Sequence, residues 1–286
     1  MKKLICLLLA MVMLAGCAPK ITVSPQPEPT PIPEQPTAEE PTIEAGVQIL
    51  DGELCYVNPK TLEKRVFEAG VYQLDGLYYR ALTDGTEIER IADELLLMDD
   101  GVYYVNQNGE FLTDAEYGYL HFDSDGRYTS GNAELDTQIE DVLAQSGAFD
   151  TEDTESALRA VYEYIRDNYK YLSMDLYEEG SDDWAEEATL RFLKYGKGNC
   201  YCFAGLFMYC ARRLGYQAYV VAGNEHRVDN AHAWTMIEWA DGETYLFDVQ
   251  LEYAYWYMFE DKPQIDMFKQ TGEDGLYNGC QYYFPE

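Results

Sequence analysis

Positive charge is scarce in this sequence. Of 286 residues, 20 are Lys or Arg and 52 are Asp or Glu, so the formal net charge is −32 at pH 7. Contacts to phosphate groups need Lys and Arg side chains, and the balance therefore argues against a nucleic-acid partner. It equally disfavours electrostatic attachment to an anionic membrane surface. The chain is nevertheless 47% hydrophobic, which is enough to form a folded core.

Long hydrophobic runs are also lacking, with one short run near the start. Leu4 to Leu14 follows a basic beginning and is too short to span a bilayer. It ends in Leu14-Ala15-Gly16-Cys17, which resembles a bacterial lipobox. The resemblance implies that residues 1–16 are a signal peptide and that Cys17 is lipidated. The predicted location is the extracellular face of the cell membrane, with the lipid anchor as the only membrane contact.

Proline is concentrated in one segment. Eight of the 11 prolines lie between Pro19 and Pro41, among Ser, Thr, Gln and Glu. Such a composition forms an extended, semi-rigid tether and no core. We therefore predict a tether over residues 17–45, which holds the following domains away from the membrane.

Residues 46–130 show short aromatic runs separated by turn signals. Leading glycines occur at 52, 76, 101 and 118, and Asn-Gly or Asp-Gly pairs follow three of the four runs. This pattern is typical of β-hairpins. It resembles the cell-wall-binding and glucan-binding repeats of Gram-positive surface proteins, which implies a peptidoglycan or surface-glycan partner. A β-rich spacer packed with tyrosines is the alternative. Repeats that bind choline use Trp-rich cages, and residues 46–150 contain no Trp.

From about residue 131 the apolar spacing becomes helical, and we treat 131–286 as one domain. Within it, a Gly-rich turn precedes Cys200, and apolar residues continue at helical spacing to Leu214. A thiol in the first turn of a helix lies at the positive end of the helix dipole, which favours the thiolate. Free amides of the same turn can hold an oxyanion.

A catalytic cysteine needs a histidine base, and the base needs an acceptor that orients it. His232 lies in a predicted strand and Asp248 in the predicted return strand. A two-residue turn at Asp241-Gly242 would place the two side chains on opposite faces. A three-residue turn, 240–242 with Gly242 left-handed, would place them on one face. A catalytic triad therefore predicts the three-residue turn.

Four ordered elements resemble the transglutaminase-like core, a papain-like thiol fold. They are Gly198-x-Cys200 at a helix start, the 214–218 segment, His232-x-Trp234 and Phe247-Asp248. The resemblance implies an α+β fold, with a helix-borne cysteine packed on an antiparallel sheet. It also implies acyl transfer from a peptide or glutamine amide, through a thioester on Cys200. His232 would act as base and acid, and Asp248 would orient it.

Other residues compete for these roles. Cys202 points about 200° away from Cys200 on a helix and is expected to pack in the core. Trp234 is a candidate substrate contact beside His232, with core packing as the alternative. The spacings Cys-x-x-Cys and His-Glu-x-x-His are absent, so we predict no metal and no cofactor. The aromatic run at 253–259 and the 282–284 segment either line a groove or cover a sheet edge.

The sequence therefore predicts a lipid-anchored surface enzyme that acts on a protein or peptide substrate. Bacterial proteins with this core are often proteases, which favours hydrolysis over crosslinking. The alternative function is a non-enzymatic lipoprotein that binds the cell wall or a glycan through its hairpins.

Overall fold

A computed structural model describes residues 46–285 apart from 51–52, 75, 82–87, 99, 152, 176, 178–183 and 228. The predicted signal peptide, the tether and Cys17 lie outside the described residues. Within the described part of the chain, no helix has the length and apolar character needed to cross a membrane.

The described residues form two compact units, divided after Arg90. The first unit contains antiparallel strands only. These are β1 (Gly46–Leu50), β2 (Glu53–Val57), β3 (Lys64–Val66), β4 (Gly70–Leu74), β5 (Leu77–Ala81) and β6 (Ile88–Arg90). They pair as two three-stranded sheets, β1-β2-β3 and β4-β5-β6. Phe67, Leu74 and Ala81 are buried between partly exposed tyrosines, so this unit has a small aromatic core.

The second unit begins with more hairpins. Its first strands are β7 (Glu94–Met98), β8 (Gly101–Val105), β9 (Ala115–Tyr117), β10 (Leu120–Phe122) and β11 (Tyr128–Thr129). Gly109 and Gly126 have positive φ angles in the predicted turns. The hairpin pattern is thus present on both sides of residue 90. The contacts group residues 91–130 with the helical region, whereas the sequence analysis places its module boundary after residue 130.

Four helices follow, as the helical apolar spacing predicts, together with two short strands and a 3-10 turn that it does not predict. They are α1 (Ala133–Gln145), a 3-10 turn (Ala148–Asp150), α2 (Thr154–Asn168), β12 (Lys170–Tyr171), α3 (Ala185–Tyr195), β13 (Lys197–Gly198) and α4 (Cys200–Arg213). Asn132 and Asp153 cap α1 and α2 through their side chains. Helix α4 is buried around nearly its whole circumference, so it is the central element of the core.

The close approach of α3 to α4 depends on Gly205. A Cβ at this position would lie 2.6 Å from Thr189 Oγ1 and 3.0 Å from the Ala185 carbonyl oxygen. Larger side chains there would push the two helices apart. The glycine therefore fixes the position of α4 against α3.

A six-stranded antiparallel sheet supports the other side of α4. The sheet strands are β14 (Gln217–Glu225), β15 (Ala231–Glu238), β16 (Thr244–Phe247), β17 (Gly272–Glu273), β18 (Leu276–Tyr277) and β19 (Cys280–Tyr283). Helix α5 (Val249–Tyr257) lies between β16 and β17 in the chain. The strand order is β16-β15-β14-β19-β18-β17. Thr235 on β15 donates to the Ala204 carbonyl oxygen at 3.0 Å. The predicted α+β architecture, a helix-borne cysteine on an antiparallel sheet, is therefore confirmed.

The β15–β16 turn is the three-residue form. Trp239 and Glu243 are joined by a backbone hydrogen bond, and Gly242 has a φ of +86°. That part of the prediction is confirmed. The prediction of Asp248 within the return strand is wrong, because β16 ends at Phe247 and α5 begins at Val249. Asp248 is the N-cap of α5.

Candidate active site

Cys200 is the first residue of α4, and its side chain is buried. The preceding residue, Asn199, makes no side-chain capping bond, in contrast to the caps of α1 and α2. Gly198 has a steric reason for being glycine, since a Cβ there would lie 2.5 Å from Cys202 Sγ. The turn therefore brings the chain close to its own helix and leaves the first-turn amides free of a capping side chain.

His232 and Asp248 are brought together directly. Nε2 of His232 lies 2.6 Å from Oδ2 of Asp248, and both residues are buried. A carboxylate only accepts hydrogen bonds, so Nε2 carries a proton. The other ring nitrogen, Nδ1, is left for Cys200, which lies near enough to His232 to help raise the pKa of the imidazole. All three predicted catalytic residues thus meet at one place.

The charge state of His232 follows from this pairing. Burial by itself would lower the pKa of His232, because it disfavours the imidazolium. The Asp248 carboxylate and the Cys200 side chain outweigh burial and raise that pKa well above its usual value. An imidazolium that persists at neutral pH is suited to pairing with a thiolate and to protonating a leaving amine.

Asp248 is fixed by two further donors. The Leu251 amide donates to Oδ1 at 2.8 Å, which is the helix cap, and the Tyr282 hydroxyl donates to Oδ2 at 2.6 Å. Burial and the neighbouring Asp248 raise the pKa of Tyr282 well above its usual value. The hydroxyl therefore keeps its proton and remains a donor.

A second buried carboxylate lies one helical turn after Asp248. Glu252 accepts from Arg166 Nη1 at 2.6 Å, from the Tyr162 hydroxyl at 2.8 Å and from the Met267 amide at 2.6 Å. The same Tyr162 hydroxyl lies 3.1 Å from the Asp248 carbonyl oxygen. Glu252 therefore ties α5 to α2 and holds the start of α5 in place.

The other described cysteines of this unit are held protonated by burial. Burial raises the pKa of Cys202 to about 11 and that of Cys280 to about 11, and it also raises the pKa of Cys210. Thiols in such surroundings are poor nucleophiles. Cys200 is the cysteine that lies near His232.

Trp234 is 1% exposed, which leaves little surface for a substrate. Its ring lies 6.1 Å from the His232 ring, centroid to centroid, and packs edge-on against Tyr282 and Phe284. Its Nε1 has no hydrogen-bond partner among the described residues. Trp234 thus forms a wall behind the imidazole. The two other histidines, His121 and His226, are exposed.

Sequence reasoning missed Tyr282 and the Glu252 network. The segment around Tyr282 extends the sheet as β19, next to β14, and brings its hydroxyl to Asp248 across 34 positions of sequence. No local pattern signals such a contact. The 253–259 run largely forms α5, where Glu252 interrupts an otherwise apolar and aromatic stretch. A lone acidic residue in that context was the available signal for a buried charge.

We expect Tyr282→Phe to lower the free energy of unfolding by about 1.5–3 kcal/mol, because it removes a buried hydrogen bond to a charged group. The exposed neighbour on the same strand supplies the control. Tyr283→Phe is expected to change stability by less than about 0.5 kcal/mol. Urea denaturation of both variants measures the difference, and equal effects would show that the Tyr282 hydroxyl contributes nothing to Asp248.

Comparisons with known proteins agree with this geometry. Residues 141–249 match the family model described as the transglutaminase-like superfamily, and the matched range includes Cys200, His232 and Asp248. No curated protein matches the chain.

Three solved structures are similar at low identity. A TGase crystal structure is 17% identical over 47% of this chain and 35% of its own, with a TM-score of 0.35. The periplasmic domain of TgpA from Pseudomonas aeruginosa, bound to ethylmercury, is 18% identical over 39% and 44%, with a TM-score of 0.29. The choline-binding domain of CbpL from Streptococcus pneumoniae is 19% identical over 32% and 45%, with a TM-score of 0.21. The chain thus spans less than half the length of each.

The family match and the fold lead to one conclusion. Residues 141–249 of this chain form a transglutaminase-like domain, preceded by β-hairpin sheets.

Proposed function

We propose that this protein is a cysteine enzyme that opens amide bonds through a thioester on Cys200. The observation that carries the proposal is the buried His232–Asp248 contact of 2.6 Å, with Cys200 near enough to the same imidazole to help raise its pKa. A buried imidazolium held between a carboxylate and a thiol has few structural uses and a direct catalytic one.

In the proposed first step, the Cys200 thiolate, paired with the His232 imidazolium, attacks the amide carbonyl carbon. Negative charge develops on the carbonyl oxygen, and the Cys200 amide at the start of α4 is placed to donate to it. The carbon–nitrogen bond then breaks. His232 gives its proton to the leaving amine, and the acyl group remains on sulfur as a thioester.

In the second step, we propose that water is the acceptor. Neutral His232 takes a proton from water as the oxygen attacks the thioester. The carbon–sulfur bond breaks, the acid leaves, and the thiolate–imidazolium pair is restored. Water needs no binding site of its own, whereas an amine acceptor has to be held beside the thioester. We therefore favour hydrolysis of a protein or peptide substrate over crosslinking.

The proposed location is the outer face of the cell membrane, with lipidation at Cys17 as the anchor. The lipobox-like sequence at 14–17 and the Pro-rich tether support it. We also propose that the hairpins bind peptidoglycan or a surface glycan. Their exposed tyrosines, Tyr117 and Tyr119 among them, offer flat apolar rings to a sugar.

Alkylation of Cys200 tests the enzyme proposal. Iodoacetamide is expected to modify Cys200 at pH 6 at least about tenfold faster than an ordinary thiol, because ordinary thiols ionise near pH 8.5. His232→Ala removes the proton acceptor and is expected to abolish this advantage. His121→Ala, which changes an exposed histidine, serves as the control. Mass spectrometry from pH 4 to 9 measures the rates; ordinary reactivity of Cys200 would instead support a non-enzymatic binding protein.

The fate of the thioester is measured with a blocked glutamine-containing peptide, in the presence of a large excess of a primary amine. We expect the hydrolysed product to dominate over the amine adduct in mass spectra, and Cys200→Ala to form neither. A dominant amine adduct would identify the protein as a crosslinking enzyme.

Cell fractionation tests the anchor and the hairpins together. We expect the unaltered protein in the membrane fraction and Cys17→Ser in the cell-wall fraction, because the hairpins still bind there. Adding Tyr117→Ala and Tyr119→Ala to the Cys17→Ser protein is expected to release it into the medium, because the proposed sugar-contacting rings are removed. Membrane retention of Cys17→Ser would contradict the lipid anchor, and release of Cys17→Ser into the medium would contradict wall binding.

A further inference from the structure

A glutamate, a histidine and a cysteine converge at the β14–β19 edge, beside the catalytic residues. Glu225 is the last residue of β14 and pairs with Tyr282 on β19. Cys280, two residues before Tyr282, has its side chain on the same face of the sheet, because side chains alternate along a strand. His226 follows Glu225 directly. Two neighbouring strands therefore deliver three metal-ligating side chains to one place.

The three side chains are close enough to share one ion. One ligand atom from each of Glu225, His226 and Cys280 lies within 4.8 Å of the other two. The backbone holds them there: His226 has a left-handed φ of 62°, and its amide donates to the Gln281 carbonyl oxygen at 2.7 Å. A left-handed histidine is uncommon. This conformation, together with the bond to Gln281, places His226 beside Cys280.

One oxygen of the cluster has no hydrogen bond. Glu225 is 4% exposed, and its Oε1 accepts no hydrogen bond from the described residues. The His226 Nε2 atom lies 2.6 Å from Oε1, so a close polar neighbour of this oxygen is itself a ligand atom of the cluster. The other oxygen, Oε2, receives Asn230 Nδ2 at 3.3 Å. A buried carboxylate charge is costly unless it is balanced, and a cation shared with the neighbouring imidazole would balance it.

The donor set narrows the identity of that ligand. A thiolate, an imidazole and a carboxylate together suit Zn²⁺ and similar transition-metal cations. Calcium and magnesium prefer oxygen ligands alone. Metal binding displaces the proton of the Cys280 thiol, so that in the bound form Glu225 and Cys280 carry two negative charges, which a divalent cation balances. The exposed His226 side chain leaves a path for the ion to enter.

We propose that Glu225, His226 and Cys280 form a binding site for Zn²⁺ or a similar cation, with a fourth position open to water. The site joins β14 to β19, and β19 carries the Tyr282 hydroxyl to Asp248. An ion bound there clamps the strand that completes the candidate active site. Metal binding itself does not depend on the proposed enzymatic activity.

Cobalt(II) is the probe, because a cobalt–thiolate bond absorbs in the near ultraviolet and tetrahedral cobalt absorbs in the visible range. The purified full chain carrying Cys200→Ala is titrated with Co²⁺, so that the catalytic thiol cannot supply the sulfur ligand. We expect one Co²⁺ per chain, a thiolate charge-transfer band, and displacement by Zn²⁺. Zn²⁺ is also expected to raise the melting temperature, because it binds the folded state.

Variants of the ligands decide the assignment. Adding Cys280→Ala is expected to abolish the thiolate band, and His226→Ala to weaken binding at least about tenfold. His226 is exposed, so its variant is expected to fold. Cys202→Ala and His121→Ala are the matched controls and are expected to bind normally. An unchanged band in the Cys280 variant would overturn the proposal, as would equal binding by the His226 variant. Loss of all binding on Cys200→Ala alone would place the metal at the catalytic cysteine instead.

Discussion

The candidate active site depends on one buried carboxylate, that of Asp248. A buried charge is tolerated only when its oxygens are fully hydrogen-bonded. Three elements therefore have to meet at this residue: β15 brings His232, the first turn of α5 brings the Leu251 amide, and β19 brings Tyr282. Each of these donors orients the carboxylate, and the carboxylate in turn orients the imidazole towards Cys200.

The contacts of the following turn of α5 explain how Asp248 is kept in position. Glu252, on the next turn of α5, is itself buried and is neutralised by Arg166 from α2. The ion pair contributes little net free energy to folding, because the cost of desolvating two charges offsets their attraction. Its contribution is positional, since loss of one partner would leave a buried charge unpaired, at about 3–5 kcal/mol. The two buried carboxylates, Asp248 and Glu252, thus fix the position of the first turns of α5 against β15 and α2.

Local patterns in the sequence predicted much of this site. Helix α4 follows from the apolar spacing after Cys200, and the left-handed Gly242 follows from the requirement that His232 and Asp248 share a face. The reason that Asp248 reaches His232 was not visible, because an N-capping aspartate and a strand aspartate look alike before an apolar run. The hydrogen bond from the Leu251 amide to Asp248, which identifies the aspartate as an N-cap, is visible only in the structure. The division after Arg90 was also hidden, since the hairpin pattern continues across it.

Long-range pairing accounts for the remaining omissions. Tyr282, Cys280 and Glu225 come together because β19 returns to pair with β14, more than fifty residues later in the chain. Neither strand contains a local sequence pattern that predicts its pairing with the other. The metal-ligating cluster accordingly has none of the short spacings by which metal sites are recognised in sequences.

The late position of β19 has a consequence for the protein as it is made. During synthesis, α4, β15 and α5 all emerge before β19, so an incomplete chain lacks the tyrosine that holds Asp248. The cysteine and the histidine are then already present, but the carboxylate between the strands is short of one donor. The strand made after the others therefore completes the support of Asp248, and the carboxylate is fully held only when β19 has paired with β14.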